Sequence, residues 1–275
     1  MGADAAPVRP LRFVKVQVRK IKILPPLITL LAAGCLFVAA GQDQDYYRRV
    51  LSSDNREAKR TLLLDIRNRH DTDLARLAVK ALNDKDEMVR AMAAAAVASM
   101  PGGEAVIALT PLLNDRSAFV RTETAYALGR VGDPSAVTAL SARTRDDRAV
   151  EVRSAAAVSL GKIGDAAGVA ALVSVLEMAP REDTEFLRRS AALSLGQIAA
   201  KSRAGGASRT VTAAVTVLVK TLNNSREASD TRREAAFALG QIGDPSAGPA
   251  LTANLRSSDP YLVEECQKAL SLISH

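Results

Sequence analysis

One segment, written three times, constrains this chain more than any other feature. It reads Leu128-Gly129-Arg130-Val131-Gly132-Asp133-Pro134-Ser135-Ala136, then Leu160-Gly161-Lys162-Ile163-Gly164-Asp165-Ala166-Ala167-Gly168, then Leu239-Gly240-Gln241-Ile242-Gly243-Asp244-Pro245-Ser246-Ala247, with a shortened copy at Leu195-Gly196-Gln197-Ile198-Ala199. Repetition at this interval means that one supersecondary unit is stacked along the chain, each copy sealing the apolar side of its neighbour. The long surface of such a stack suits holding another macromolecule better than enclosing a small substrate.

Alignment of the copies on the first apolar residue of the preceding stretch gives Val89, Val120, Val152, Leu187, Thr231 and Leu262, at intervals of 31, 32, 35, 44 and 31 residues. In the clearest copy Val120, Ala125, Leu128 and Val131 fall at helical spacing and form one buried stripe. Gly132 ends that helix by taking the left-handed cap conformation, Asp133 bonds the free amides opening the next, and Pro134 suits its first position. The second helix buries Ala136, Val137 and Leu140, as Ala105, Val106 and Leu109 do in one copy and Ala247 and Leu251 in another. Thr144 stands where other copies carry Leu113, Leu176, Leu222 and Leu255. Gly129, Gly161, Gly196 and Gly240 fall inside first helices, where glycine costs about 1 kcal/mol relative to alanine; their recurrence predicts that helices approach closely there.

The unit from Asp45-Tyr46-Tyr47 to Asn83 keeps the periodicity without the glycine-aspartate turn. It reads as a capping unit, with Tyr46 and Tyr47 covering the first layer. The last copy reduces to a single helix. Lys201 to Thr212, containing Gly205-Gly206, reads as a flexible loop inserted into the longest interval, and Met178 to Asp183 lengthens another connection.

Val120-Arg121 followed by Ala125-Tyr126-Ala127-Leu128-Gly129-Arg130-Val131-Gly132-Asp133-Pro134, with its copies over roughly residues 55 to 275, resembles HEAT repeats, in particular the short bacterial kind labelled phycobilisome-lyase-like. The resemblance implies an all-α chain whose residues 42–275 form a right-handed α-solenoid of about six helical hairpins. It implies that Arg90, Arg121, Arg153, Arg188 and Arg232 form a ladder pairing with acidic residues between repeats. It also implies that second helices line a concave face that grips a protein or extended peptide. The groove positions are then Thr110, Asn114, Thr138, Ser141, Arg145, Val173, Glu177, Val219, Asn223, Thr252 and Arg256. Mostly small and neutral, they fit a broad contact of modest affinity.

The net charge of +7 raises the question of a nucleic-acid partner, but six basic residues against Asp4 put five of those charges in the first 41 residues. The remainder is nearly neutral, and no nucleic-acid partner is expected. The basic stretch through Lys22, the apolar run Leu27 to Ala40 and the polar Gln42-Asp43-Gln44-Asp45 have the layout of a secretory signal peptide, cut before or after Gly41. Leu31-Ala32-Ala33-Gly34-Cys35 also resembles a lipoprotein signal, and an uncleaved anchor is a third reading. The chain is thus expected to be exported, to the periplasm or beyond, touching membrane only through this segment.

Chemistry is sparse. His70 and His275 are the only histidines, and neither sits in a metal-binding motif. No phosphate-cradling loop, dinucleotide fingerprint, Cys-x-x-Cys or nucleophile elbow occurs, so no catalytic residue, metal or cofactor is expected. Cys266 reads as a small, half-buried residue of an amphipathic helix. Two enzymatic alternatives follow from the family resemblance, a lyase acting on a linear tetrapyrrole and a DNA glycosylase. A tethered structural component of the cell envelope is a further alternative.

Overall fold

The computed structural model describes residues 44–206 and 208–273, and helix is the only regular structure among them. The leader segment expected at 1–41 lies outside the described residues. A short helix α1 (44–52) precedes six hairpins. These are α2 (Arg56–Arg69) with α3 (Thr72–Ala78), α4 (Glu87–Val97) with α5 (Gly102–Leu109), and α6 (Ala118–Val131) with α7 (Val137–Asp146). Then come α8 (Val150–Ile163) with α9 (Val169–Glu177), α10 (Glu185–Ala204) with α11 (Ser208–Asn223), and α12 (Ser229–Ile242) with α13 (Gly248–Asn254); α14 (Pro260–Ile273) stands alone at the end.

The helices form two layers. First helices α2, α4, α6, α8, α10, α12 and α14 pack in succession, second helices α3 to α13 line up beside them, and the core is a continuous sheet of Ala, Val and Leu between the layers. The turn chemistry follows the repeated segment. Gly132, Gly164 and Gly243 end their helices at φ of 71°, 72° and 67°, and the following aspartates accept from the amides of Ser135, Ala167 and Ser246 at 2.8–2.9 Å. Those aspartates open a 3-10 turn that feeds the second helix.

The glycines inside first helices sit where expected, against the next first helix. A Cβ on Gly129 would lie 2.5 Å from Ser159 Oγ and 3.0 Å from its Cα; on Gly240, 2.8 Å from Ala269 Cα. Gly161 and Gly196 face Ser194 and Ala238 in the same way. The first helices therefore pack closely on one another at these glycines.

The arginine ladder is real but differently wired. Arg90 holds Asp115 through Nε and Nη2 at 2.7 and 2.8 Å, and Arg121 holds Asp147 at 2.8 and 2.7 Å. Arg188 binds Glu227 in the same two-pronged manner. Each acid follows the second helix of the same hairpin, not a neighbouring repeat. The link between repeats is instead the Nη1 of Arg121, which donates to the carbonyl of Asp115 at 2.9 Å, and that of Arg90, which donates to Asp84 O at 2.9 Å. Arg153 and Arg232 depart from the expected pairing: Met178 and Ser257 occupy the positions where an acid would stand, and Arg153 turns to the sulfur of Met178 while Arg232 turns to Asn254 Oδ1.

Two more expectations are corrected. Most of the stretch 201–212 is helix rather than loop: α10 runs on to Ala204 and α11 begins at Ser208. Ala199-Ala200 replaces the glycine-aspartate stop, so good helix formers carry α10 onward until Gly205-Gly206. The extension has a role, since Arg203 Nη1 donates at 2.7 Å to the carbonyl of Ile242, at the C-terminus of α12. At the other end Tyr47 is buried and donates to Asp65, whereas Tyr46 is exposed.

Candidate functional site

The eleven positions expected to line a groove all fall on the second helices or the turns that follow them. Ser141 is buried with its hydroxyl lacking a partner, a correction that follows from its place beside Leu140 in the inter-layer core. Thr110 and Thr252 turn their hydroxyls back onto Val106 O and Gly248 O of their own helices at 2.7 and 2.9 Å. Asn223 accepts from Asn254 Nδ2 at 2.8 Å, and Val173 and Val219 pack partly against the core. Thr138, Arg145, Glu177 and Arg256 are exposed, and Asn114 borders a depression formed by the Arg121–Asp147 rung and its turns.

The grooves with apolar walls lie on the opposite face, along the first helices. One, of about 640 Å³, runs across α8, α10, α12 and α14 and is lined by Val158, Phe186, Leu193, Phe237 and the charged residues between them. A smaller one, of about 60 Å³, spans α2, α4 and α6 with Met92 and Phe119 on its walls. Both are built from the same repeat positions. The residue before the aligned one is Met88, Phe119, Glu151, Phe186, Asp230 and Tyr261 in successive copies; the residue six beyond it is Ala95, Tyr126, Val158, Leu193, Phe237 and Lys268. Seven residues apart, the two positions lie two helical turns apart on one flank.

The three phenylalanines among the described residues all lie here, exposed by 42% (Phe119), 53% (Phe186) and 38% (Phe237), and Tyr261 by 66%. Charged side chains knit the larger groove together. Arg189 stacks 5.4 Å from the Phe186 ring centre and reaches Asp230 at 3.4 Å; Arg233 stacks 5.5 Å from Tyr261, binds Asp230 and lies 3.6 Å from Asp259. Glu234 is half-buried in the wall. Burial, reinforced by Glu265 and Asp230, raises its carboxyl above the usual range despite the nearby Arg189 charge.

The sequence model of HEAT repeats matches residues 48–129, 80–157, 108–196 and 182–271, overlapping across nearly the whole described chain. This is a HEAT-repeat protein. No curated protein matches it. Among solved structures it is similar to an engineered protein (22% identity, 84% of this chain and 68% of that one, TM-score 0.52). Further similar structures are the complex of CpcE and CpcF of phycocyanin lyase from Nostoc sp. PCC7120 (19%, 83% and 92%, 0.48) and human deoxyhypusine hydroxylase in complex with glycerol (20%, 86% and 98%, 0.37). At these identities the likeness is one of fold.

Among the described residues of this HEAT-repeat chain, no three His, Cys, Asp or Glu side chains stand together as a metal site, and no helix is long and apolar enough to cross a membrane. Cys266 is fully buried rather than half-buried, and desolvation pushes its thiol up to about 11. The exposed aromatic positions escaped the sequence reading. Their signal was the occurrence of Met, Phe and Tyr at a repeat position where a helix facing water carries polar residues.

Proposed function

We propose that this HEAT-repeat protein is a non-catalytic adaptor, acting outside the cytoplasm, that holds a protein or extended peptide along its first-helix face. The observation that supports this reading is the row of exposed rings on that face. At roughly 200 Å² per fully buried aromatic, Phe119, Phe186, Phe237 and Tyr261 leave on the order of 400 Å² to be covered. That is about 10 kcal/mol of gross stabilisation at 25 cal/mol per Å², set against an association cost of about 4–15 kcal/mol. The balance favours a broad contact of moderate affinity that gains from engaging several repeats at once. The leader pattern in residues 1–41 supports export.

The experiment is site-specific photocrosslinking in the native envelope, with a photoreactive phenylalanine analogue placed at 119, 186 or 237 and, for comparison, at Thr138 or Thr252. Adducts confined to the first-helix positions are expected. Adducts from Thr138 and Thr252 alone would move the contact to the second-helix face and sink the assignment. The mass of the mature N-terminus tests export by cleavage: a chain beginning at Gly41 or Gln42 is expected, and an intact or lipidated one refutes it.

A further inference from the structure

We infer that the groove across α10, α12 and α14 receives a cationic side chain, an arginine or lysine of the partner, between the rings of Phe186 and Phe237 and the carboxylate of Glu234. The inference rests on the adaptor reading above and names the chemistry of what that face holds.

The charges already in the groove decide its preference. Asp230 is held between Arg189 and Arg233, and each of those guanidiniums is further engaged, one by the Phe186 ring and the other by Tyr261 and Asp259. Glu234 is different: no hydrogen bond or ion pair reaches its carboxylate among the described residues, although it is half-buried. Glu265 lines the same wall and has only a distant cation, Lys268 Nζ at 3.9 Å. Among the residues lining the groove, Arg189 and Arg233 face Asp230, Glu234 and Glu265; Arg189, the cation that acts on Glu234, is already engaged by Asp230 and Phe186, so the net charge is negative and set against aromatic surface.

An occupant that is wholly apolar would bury Glu234 further without pairing it, which is costly. An anionic occupant would meet Glu234 and Glu265 head on. An arginine or lysine satisfies both parts of the wall, because its charge pairs with the carboxylate while its stem or guanidinium lies on the rings. The groove already shows this geometry internally, since two of its own guanidiniums lie over aromatic faces. Its volume of about 640 Å³ leaves room for one long side chain with flanking backbone.

The test uses the full chain and fluorescein-labelled peptides of the form Gly-Ser-Leu-Arg-Leu-Ser-Gly, with arginine replaced in parallel by citrulline, its neutral isostere, or by glutamate. Binding is read by fluorescence anisotropy at physiological salt. The arginine peptide is expected to bind roughly tenfold or more tightly than the citrulline peptide, with the glutamate peptide weakest. Glu234→Gln should bring the arginine peptide down to the citrulline level and leave the citrulline peptide unchanged; Phe237→Ala should weaken both. Circular dichroism confirms that each variant keeps its helices, and Glu265→Gln, with a smaller expected loss, serves as a second variant. Equal binding of the arginine and citrulline peptides, an unaltered arginine peptide with Glu234→Gln, or no binding of any peptide overturns the inference. If crosslinks still form at Phe186 and Phe237 in that event, the adaptor reading stands and only the cation assignment falls.

Discussion

Replacing Gly129 by valine tests the feature that sets the spacing of the first-helix layer. Helix propensity alone predicts a small gain, since valine is better than glycine in a helix interior by a few tenths of a kcal/mol. Packing predicts the opposite. The first added carbon would lie 2.7 Å from Ser159 Cβ and 3.0 Å from its Cα, where carbon contacts normally begin at about 3.5 Å, and the two valine methyls add to the conflict. Rotating the Ser159 hydroxyl away would break its 2.7 Å bond to Ala125 O and still leave the Cβ and Cα in place. The helices α6 and α8 must therefore separate, and overpacking of this kind costs about 1–3 kcal/mol.

The net expectation for Gly129→Val is a loss of about 1–3 kcal/mol, read as a lower urea midpoint by far-ultraviolet circular dichroism. In a domain of this size a loss of 2 kcal/mol lowers Tm by about 4–8 °C. Ser159→Gly in the same background removes the nearest atoms except the Cα, so the double variant should be less destabilised than the sum of the two singles. Gly103→Ala is the control: a Cβ there meets nothing within 4 Å, and the midpoint should hold or rise. A midpoint for Gly129→Val at or above that of the parent chain would refute the argument that glycine is present for close approach.

Asp147→Ala removes the acid of a buried two-pronged pair and strands Arg121, so a loss of about 3–5 kcal/mol is expected in the same urea assay; a loss under about 1 kcal/mol would show that the rung is dispensable. Burial pushes the Asp115 and Asp147 carboxyls up, but hydrogen bonds from Arg90 and Arg121 and from the Ser117 and Ala149 amides outweigh it and hold both below the usual range. Their stabilisation is thus complete above the unfolded-state value of about 4 and lost as pH falls through the lower folded-state values, so an acid titration of stability should be shallower in Asp147→Asn than in the parent. Asp244→Ala deletes a cap and should cost about 1 kcal/mol, with an unchanged midpoint counting against the capping role. Cys266 should resist a thiol reagent at mildly alkaline pH until urea unfolds the chain; rapid modification of the native protein would contradict its burial.

The parts of the fold that were legible in the sequence are those whose physics is local or repeats. Gly132 and Asp133 stop one helix and start the next through backbone conformation and amide bonding alone, and the same pair works at Gly164-Asp165 and Gly243-Asp244. The buried columns followed from period and apolarity. What failed depended on the absence of a signal or on a partner in another element. The 201–212 stretch looked like a loop because of Gly205-Gly206 and the serines around it, yet the missing glycine-aspartate stop after Ile198 was the stronger fact. The ladder's wiring was not readable, since Arg121 finds Asp147 and the Asp115 carbonyl only once hairpins are stacked.

The apolar groove on the first helices went unread for a more general reason. Aligning repeats emphasises the positions that recur, which are structural, whereas this outer position varies from copy to copy: Met88, Phe119, Glu151, Phe186, Asp230 and Tyr261 span five side-chain types. A two-layer stack also offers two outer faces, and hydrophobic periodicity alone does not say which of them bears the grooves. The glycines do bear on it. By letting α6, α8, α10, α12 and α14 approach one another, Gly129, Gly161, Gly196 and Gly240 bring side chains on the outer flank of neighbouring first helices close together. Convergence is what lets Phe186 on α10 and Phe237 on α12 share a single groove with Glu265 on α14. The same residues that were legible as close-approach sites thus also bring together the side chains that line this groove.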